Sequence, residues 1–93
     1  MSYIIDMIFD WNPEKNKWLT ANREIASEEI ICLIEEGHLR AILKHPKKPN
    51  QKIFVVEREG YAYNVPYVEK EDGVLFLKTI YPSRVSTRKY IGG

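Results

Sequence analysis

IFVVEREGYAYNVPYVEKEDGVLFLKTIY, residues 53–81, is the stretch whose reading decides the fold. It holds three apolar runs, at 53–56, 61–68 and 74–81, rich in β-branched and aromatic residues and bounded by turn signals. Glu59-Gly60 is a two-residue hairpin connection, and the polar run 69–73 ends in Gly73. The stretch predicts a three-stranded antiparallel meander. Pro66 has no N–H to give to a ladder, so the 61–68 strand is expected at a sheet edge or bulged at that residue.

Toward the N-terminus, Leu39, Ala41 and Leu43 alternate with Arg40 and Lys44, interrupted by Ile42, which predicts a strand that Pro46 ends. Residues 47–51 form a polar loop. Upstream, Ser27 is a suitable N-cap, Glu28 and Glu29 favour the first turn, Ile30, Leu33 and Ile34 make one apolar stripe, and Gly37 stops the helix. Cys32 on that helix reads as a small buried hydrophobe. Asn12 caps and Pro13 starts a shorter helix ending near Asn22, in which Trp18 reads as a core anchor. A short apolar strand at 4–9 precedes it, and Ser83 caps a final helix over 84–91. The predicted class is α+β, with two N-terminal helices packed on a mainly antiparallel sheet in the order β-α-α-β-β-β-β and a short C-terminal helix.

A chain of 93 residues with 44% hydrophobic and 12% aromatic content supplies one core, so residues 1–93 are expected to form a single domain. A core this small is marginal alone, and a partner or a homo-oligomer would stabilise it. One cysteine, no basic-then-apolar opening and no apolar run near the roughly 20 residues of a membrane span predict a cytoplasmic protein without a membrane partner.

The net charge of +1 conceals a strong segregation. Residues 1–37 sum to −5, residues 38–52 to +5 through Arg40, Lys44, Lys47, Lys48 and Lys52, residues 53–77 to −3, and the tail from Lys78 to +4. Charges act within a Debye length, so a nearly neutral chain can still present a basic surface to nucleic acid or an acidic partner, and two solvated loops are the plainer reading.

Phe9-Asp10-Trp11-Asn12-Pro13-Glu14-Lys15, followed by Ile25 and Glu28-Glu29, resembles the opening of BrnT-like toxins, a branch of the bacterial RelE-like ribonuclease toxins. Ser83-Arg84-Val85-Ser86-Thr87-Arg88-Lys89, directly behind the last strand, is similar to that family's closing Ala-Arg-x-x-Thr with basic residues after it. The chain departs from the family at Asn22-Arg23-Glu24, where a Lys-His-Gly is common, and at Leu19, where a polar residue is usual. The resemblance implies a RelE-like fold, metal-independent endoribonuclease activity without a cofactor, and growth arrest on expression. It also implies neutralisation by a cognate ribbon-helix-helix antitoxin, through which DNA is reached indirectly.

Metal-free RNA cleavage needs a base for the 2′-hydroxyl, a cation for the developing phosphorane charge and an acid for the leaving oxygen. Arg84, whose planar fork suits phosphate and which stands at the family's closing Arg, is the first catalytic candidate. Thr87, one turn on, can donate to the same phosphate or simply face solvent. Lys78, in an apolar run, points to solvent or into a cleft on the face of Phe76 and Ile80. Lys15 and Lys17 on the first helix, Lys47 and Lys48 in the loop, Arg88 and Lys89 in the tail, and His45 at the strand end are candidate RNA contacts. A grouping of Arg84, Lys78 and Lys15 in one groove is expected if they act together. Tyr61, Tyr63 and Tyr67 share parity and can stack on bases or line the core. The two histidines and one cysteine lack metal-site spacing. Besides a ribonuclease toxin, a non-catalytic binding module of the same fold and a small RNA-binding domain fit these residues.

Overall fold

The computed structural model describes residues 7–92, so residues 4–6 of the strand expected at 4–9 lie outside the described residues. The chain runs β1 (Ile8–Trp11), α1 (Pro13–Arg23), α2 (Ser27–Glu35), β2 (Leu39–Lys44), β3 (Lys52–Arg58), β4 (Tyr61–Glu69), β5 (Val74–Leu77), β6 (Tyr81–Pro82) and α3 (Arg84–Ser86), which continues as a π-helical turn, Thr87–Ile91. The strands form one mixed sheet in the order β1-β5-β4-β3-β2, with β6 also on β4. The β1–β5 pair is parallel and the other pairs are antiparallel. The architecture is α+β, as the sequence predicts.

The meander forms around Glu59-Gly60, with Arg58 facing Tyr61 across the turn. Both turn residues have positive φ, 52° and 80°, the pattern of a type I′ connection that matches strand twist. Three boundaries differ from expectation. β1 runs through Trp11, because Asp10 and Trp11 stay in register with Phe76 and Leu77. β5 stops at Leu77, and the chain returns to β4 only at Tyr81. That break explains the third difference. β4 is an interior strand despite Pro66, whose C=O accepts the Lys78 N–H at 2.8 Å. A residue's N–H and C=O point the same way across a strand, so the missing donor of Pro66 faces the break at 78–80, where no regular ladder needs it.

The helices follow local chemistry with one substitution. Asn12 accepts the Glu14 and Lys15 N–H groups at 2.8 and 3.1 Å, and Pro13 occupies the first position of α1. Ser27 does not cap α2. It is the first helical residue, buried, and its N–H is satisfied from outside by Asn16 Oδ1 of α1 at 2.7 Å, while Asn16 Nδ2 donates to Glu28 at 2.8 Å. At the other end Gly37, at φ 94°, closes α2 with the Gly37 N–H on Ile34 and the His38 N–H on Leu33.

Cross-strand partners project to one side of a sheet, so the register sorts residues by face. On the helix face, Leu19, Ile25, Ile30 and Ile34 pack with Phe54, Val56, Val65, Tyr67, Leu75, Leu77 and Ile80 as one core. Burying each large side chain there stabilises by about 1.5–3 kcal/mol. Arg58 ties the two layers: it donates to Glu29 at 2.7 Å, to the Glu24 carbonyl at 3.0 Å and to the Tyr63 hydroxyl at 3.3 Å. The Glu29 hydrogen bond holds its pKa above the usual arginine value.

The opposite face is covered only in part. α3 and the π-helical turn pack on β4, and the turn reaches β2, which buries Ile53, Val55, Ala62, Asn64 and Pro66. Asn64 Oδ1 is buried there without a hydrogen-bond partner among the described residues, and nothing in the structure accounts for it. The β1–β5 side of this face stays open, with Ile8 60% exposed and Val68, Val74 and Phe76 half-buried. Two side chains expected inside lie outside. Cys32 is exposed, and Trp18 is 45% exposed, because α1 turns only Leu19 fully into the core.

Candidate nucleic-acid interface

The open half of the second face is built by register. Phe76 of β5 faces Asp10 of β1 on one side and Val68 of β4 on the other, so all three project to the same side of the sheet. Two ammonium groups flank the Phe76 ring: Lys70 Nζ at 4.5 Å and Lys78 Nζ at 5.5 Å from its centroid. Lys70 belongs to the β4–β5 turn, closed by the Lys70 N–H on Val74 at 2.8 Å and the Gly73 N–H on Lys70 at 2.9 Å. The hydrogen bond from the Lys78 N–H to Pro66 fixes the other lysine where the chain leaves β5. Each cation–ring contact is worth about 0.5–1 kcal/mol at an exposed site. Two like charges over one ring attract an anion.

The C-terminal helix lies on the same side. Ser83 Oγ caps it by accepting the Ser86 N–H at 3.0 Å, and the Ser83 N–H donates to Ala62 at 2.9 Å, extending the β6–β4 contact. Arg84, Arg88 and Lys89 are exposed. Among the described residues the ion pairs are Arg40–Glu57 and Arg58–Glu29, so Lys78, Arg84, Arg88 and Lys89 hold no carboxylate. A phosphate needs to displace none.

Thr87 is committed elsewhere. Its hydroxyl donates to the Ser83 carbonyl at 2.7 Å and accepts the Ala62 N–H at 2.8 Å, which splices the helix to β4. Ala62 is fully buried, so Thr87→Val leaves a buried donor unpaired. The expected loss in chemical denaturation is about 1–3 kcal/mol, largely restored in Thr87→Ser. An unchanged midpoint in Thr87→Val would show the hydroxyl to be dispensable for folding.

The remaining candidates fall in other places. Lys15 and Lys17 are on α1, which packs through Leu19 on the helix face, so the sheet separates them from the C-terminal helix. Lys15 Nζ and the Arg23 guanidinium flank Trp18, at 4.7 and 5.0 Å from its centroid, and Arg23 also donates to the Ile80 carbonyl at 2.6 Å. Lys78 projects to the side of the sheet that carries the C-terminal helix and not to that of Lys15, but it stands beside Pro66, whereas the helix cap Ser83 is held at Ala62, further along β4. Lys78 also does not share a face with Ile80, which turns into the core.

His45, Lys47 and Lys48 sit in the β2–β3 loop, at the same end of the sheet as the β4–β5 turn and away from the C-terminal helix. His45 Nδ1 accepts the Lys47 and Lys48 N–H groups, both at 3.1 Å, and its own N–H donates to Gln51 at 3.1 Å. The ring shapes the loop. His45→Ala is expected to free the Lys47 and Lys48 amides, raising their hydrogen-exchange rates at least about fivefold, with roughly 1 kcal/mol lost overall. Unaltered exchange at both amides would mean that the prolines alone hold the loop.

The tyrosines do not form a stacking platform. Tyr67 is in the core, stacked on Phe54 at 3.9 Å and 8°; Tyr63 lies under Arg58; and Tyr61 alone of the three is exposed. Sequence reasoning missed Lys70 and Asp10, and undervalued Phe76. The parity of Phe76 and Lys78 was a usable signal for the second lysine; the reach of Lys70 back over the strand was not.

Among the described residues no three of His, Cys, Asp and Glu come together as a metal-holding group, and no helix is long and apolar enough to cross a membrane. Comparison of the chain with protein-family models, with curated proteins and with solved structures gives no match.

Proposed function

We propose that the protein is the toxin of a type II toxin–antitoxin pair, a RelE-like endoribonuclease that cleaves RNA without a metal. The observation that carries this reading is the open sheet face, where Phe76 lies between Lys70 and Lys78 on the side that also holds Arg84, Arg88 and Lys89, which form no ion pair among the described residues. An aromatic ring for a base beside cations for the backbone is the arrangement that holds single-stranded nucleic acid. The resemblance of both chain ends to BrnT-like toxins points the same way.

In this reading Lys78 and Arg84 stabilise the charge that develops on the phosphate, and stacking on Phe76 fixes the neighbouring nucleotide. Asp10, the cross-strand neighbour of Phe76, projects a carboxylate to that face; its Oδ1 accepts the Trp11 N–H at 2.8 Å, and its other oxygen takes the 2′-hydroxyl proton while a solvent water protonates the leaving 5′-oxygen as the 2′,3′-cyclic phosphate closes. A ribbon-helix-helix antitoxin would neutralise the toxin by covering this face and carry the contact to operator DNA. The half-open apolar strip at Ile8, Val74 and Phe76 is the ground such a partner would bury.

The test is purified full chain with single-stranded RNA in the presence of a chelator, beside RNA integrity and growth after induced expression. Discrete cleavage and growth arrest support the toxin. Intact RNA with a folded protein favours the second reading, a binding module that keeps the partner surface without chemistry. One observation favours it: the Thr87 hydroxyl is held by the Ser83 carbonyl and the Ala62 N–H, so it is not free for proton transfer.

A further inference from the structure

At the end of the sheet beyond α1 and α2 lies a cavity of about 190 Å³, lined by Pro49, Asn50, Lys52, Tyr67 and Glu69. It opens on the helix face, opposite Phe76, and none of the features above uses it. Lys52 and Tyr67 are cross-strand partners, and Lys44 lies beside Lys52 in the next strand, so the three project to the same side.

Its walls are fixed. Tyr67 is 5% exposed and its ring is stacked on Phe54, so the phenol is held in place at the cavity, and no hydrogen bond to its hydroxyl is found among the described residues. Burial, followed by the charge of Glu69, pushes the Tyr67 pKa up, which keeps the hydroxyl a donor. The opposite wall is the loop that His45 holds in shape, further closed by the Gln51 N–H on Lys48 at 3.0 Å. Lys52 and Glu69 line one cavity without pairing with each other.

Such a lining asks for a small ligand with hydrogen-bond donors and acceptors on one edge and a flat apolar face. A carboxylate accepts from ring and exocyclic N–H groups, a carboxamide both gives and accepts, and a phenol and an ammonium donate to carbonyl and ring nitrogen acceptors. The volume falls below the roughly 300–1,000 Å³ of sites that hold a whole drug-sized molecule, so the occupant is one ring system. Lys44 neighbours Lys52 in the next strand, and Lys47 and Lys48 are exposed in the loop that carries Pro49 and Asn50.

We propose that this cavity takes one unpaired base of the RNA strand, with Glu69, Asn50 and Tyr67 on its hydrogen-bonding edge, Pro49 against its face and the loop lysines on adjacent phosphates. The proposal rests on RNA being the ligand, as proposed above. The two surfaces meet at one rim: Glu69 turns to the cavity, and the next residue, Lys70, reaches over Phe76 on the other face. A strand passing over the β4–β5 turn therefore touches both, with the base in the cavity a short distance along the chain from the phosphate at Lys78.

The experiment uses the full chain, the four nucleoside 5′-monophosphates and a 2′-O-methyl single-stranded hexamer that cannot be cleaved by 2′-attack. Nucleotides are expected to shift the amide resonances of Asn50, Lys52, Tyr67 and Glu69. Tyr67→Phe, which keeps the ring on Phe54, and Asn50→Ala are each expected to weaken hexamer binding about five- to tenfold, the effect of one lost hydrogen bond to a well-placed partner. Hexamer binding that is tight in the wild type and equal in both variants, but lost in Phe76→Ala, overturns the cavity and leaves the RNA reading standing. No hexamer binding by the wild type overturns both. Shifts at the same amides from a free amino acid such as glutamine, and none from nucleotides, overturn the assignment of the ligand as a base.

Discussion

Arg84→Ala is expected to lower RNA cleavage by about a hundredfold or more while leaving the denaturation midpoint within about 0.5 kcal/mol of wild type. The size follows from the role. A pre-placed donor aimed at charge that appears only in the transition state is worth roughly 10²–10³ in rate. The small stability effect follows from the position: Arg84 is exposed, makes no ion pair among the described residues and follows the cap residue Ser83. Arg84→Lys keeps the charge but loses the planar fork, so it should recover only part of the rate. The measurement is single-turnover cleavage of a short RNA, with growth of an induced culture as the cellular counterpart. Full activity in Arg84→Ala would remove this residue from the chemistry and leave Lys78 as the cation to test.

The largest stability effect is expected from Phe54→Ala, a loss of about 3–5 kcal/mol in urea denaturation. Phe54 is fully buried in β3, stacked on Tyr67 and edge-to-face with Phe9 at 6.3 Å, so its removal opens a cavity between an interior strand and the edge strand β1. At 0.05–0.15 kcal/mol per residue, the whole domain holds roughly 5–14 kcal/mol. The substitution therefore removes roughly a fifth or more of the total, and the melting temperature should fall by over about 10 °C. Phe54→Leu, which keeps most of the volume, should cost much less. A loss under about 1 kcal/mol in Phe54→Ala would mean that the neighbouring side chains close over the gap.

What the sequence discloses here is what short segments decide for themselves. The Glu59-Gly60 turn, the Asn12-Pro13 helix start, the Gly37 stop and the Ser83 cap each rest on contacts within a few residues, and each forms as read. The failures involve partners far along the chain. Pro66 sits in an interior strand because β5 breaks 12 residues later at Lys78, and the need for an N–H disappears with the partner. Ser27 yields its capping role to Asn16, a residue of another helix. Trp18 is a large apolar residue on a helix, which favours burial, yet α1 lies at an angle that spends its single buried position on Leu19. The candidate site shows the same division. The tail cations were visible as a run of charge, whereas the pairing of Lys70 with Lys78 over Phe76, and of Tyr67 with the 45–51 loop, exists only after the strands are aligned.

The parallel pair that joins β1 to β5 sets the order in which the chain can complete itself. Ile8 meets Val74, 66 positions later, so β1 has no ladder to join until β2, β3 and β4 have been made. At about 5–20 residues per second, a nascent chain waits roughly 3–13 s between the synthesis of the two strands. During that interval Phe9 can reach Phe54 of the β2–β4 meander, but β1 itself has no strand to pair with. Closing so long a segment is also slow in entropy terms, because the ends must meet before any contact rewards them. The β1–β5 pairing and the cations from Lys78 onward come after β2, β3 and β4, so a chain made only as far as β4 holds neither the complete sheet nor the proposed RNA surface.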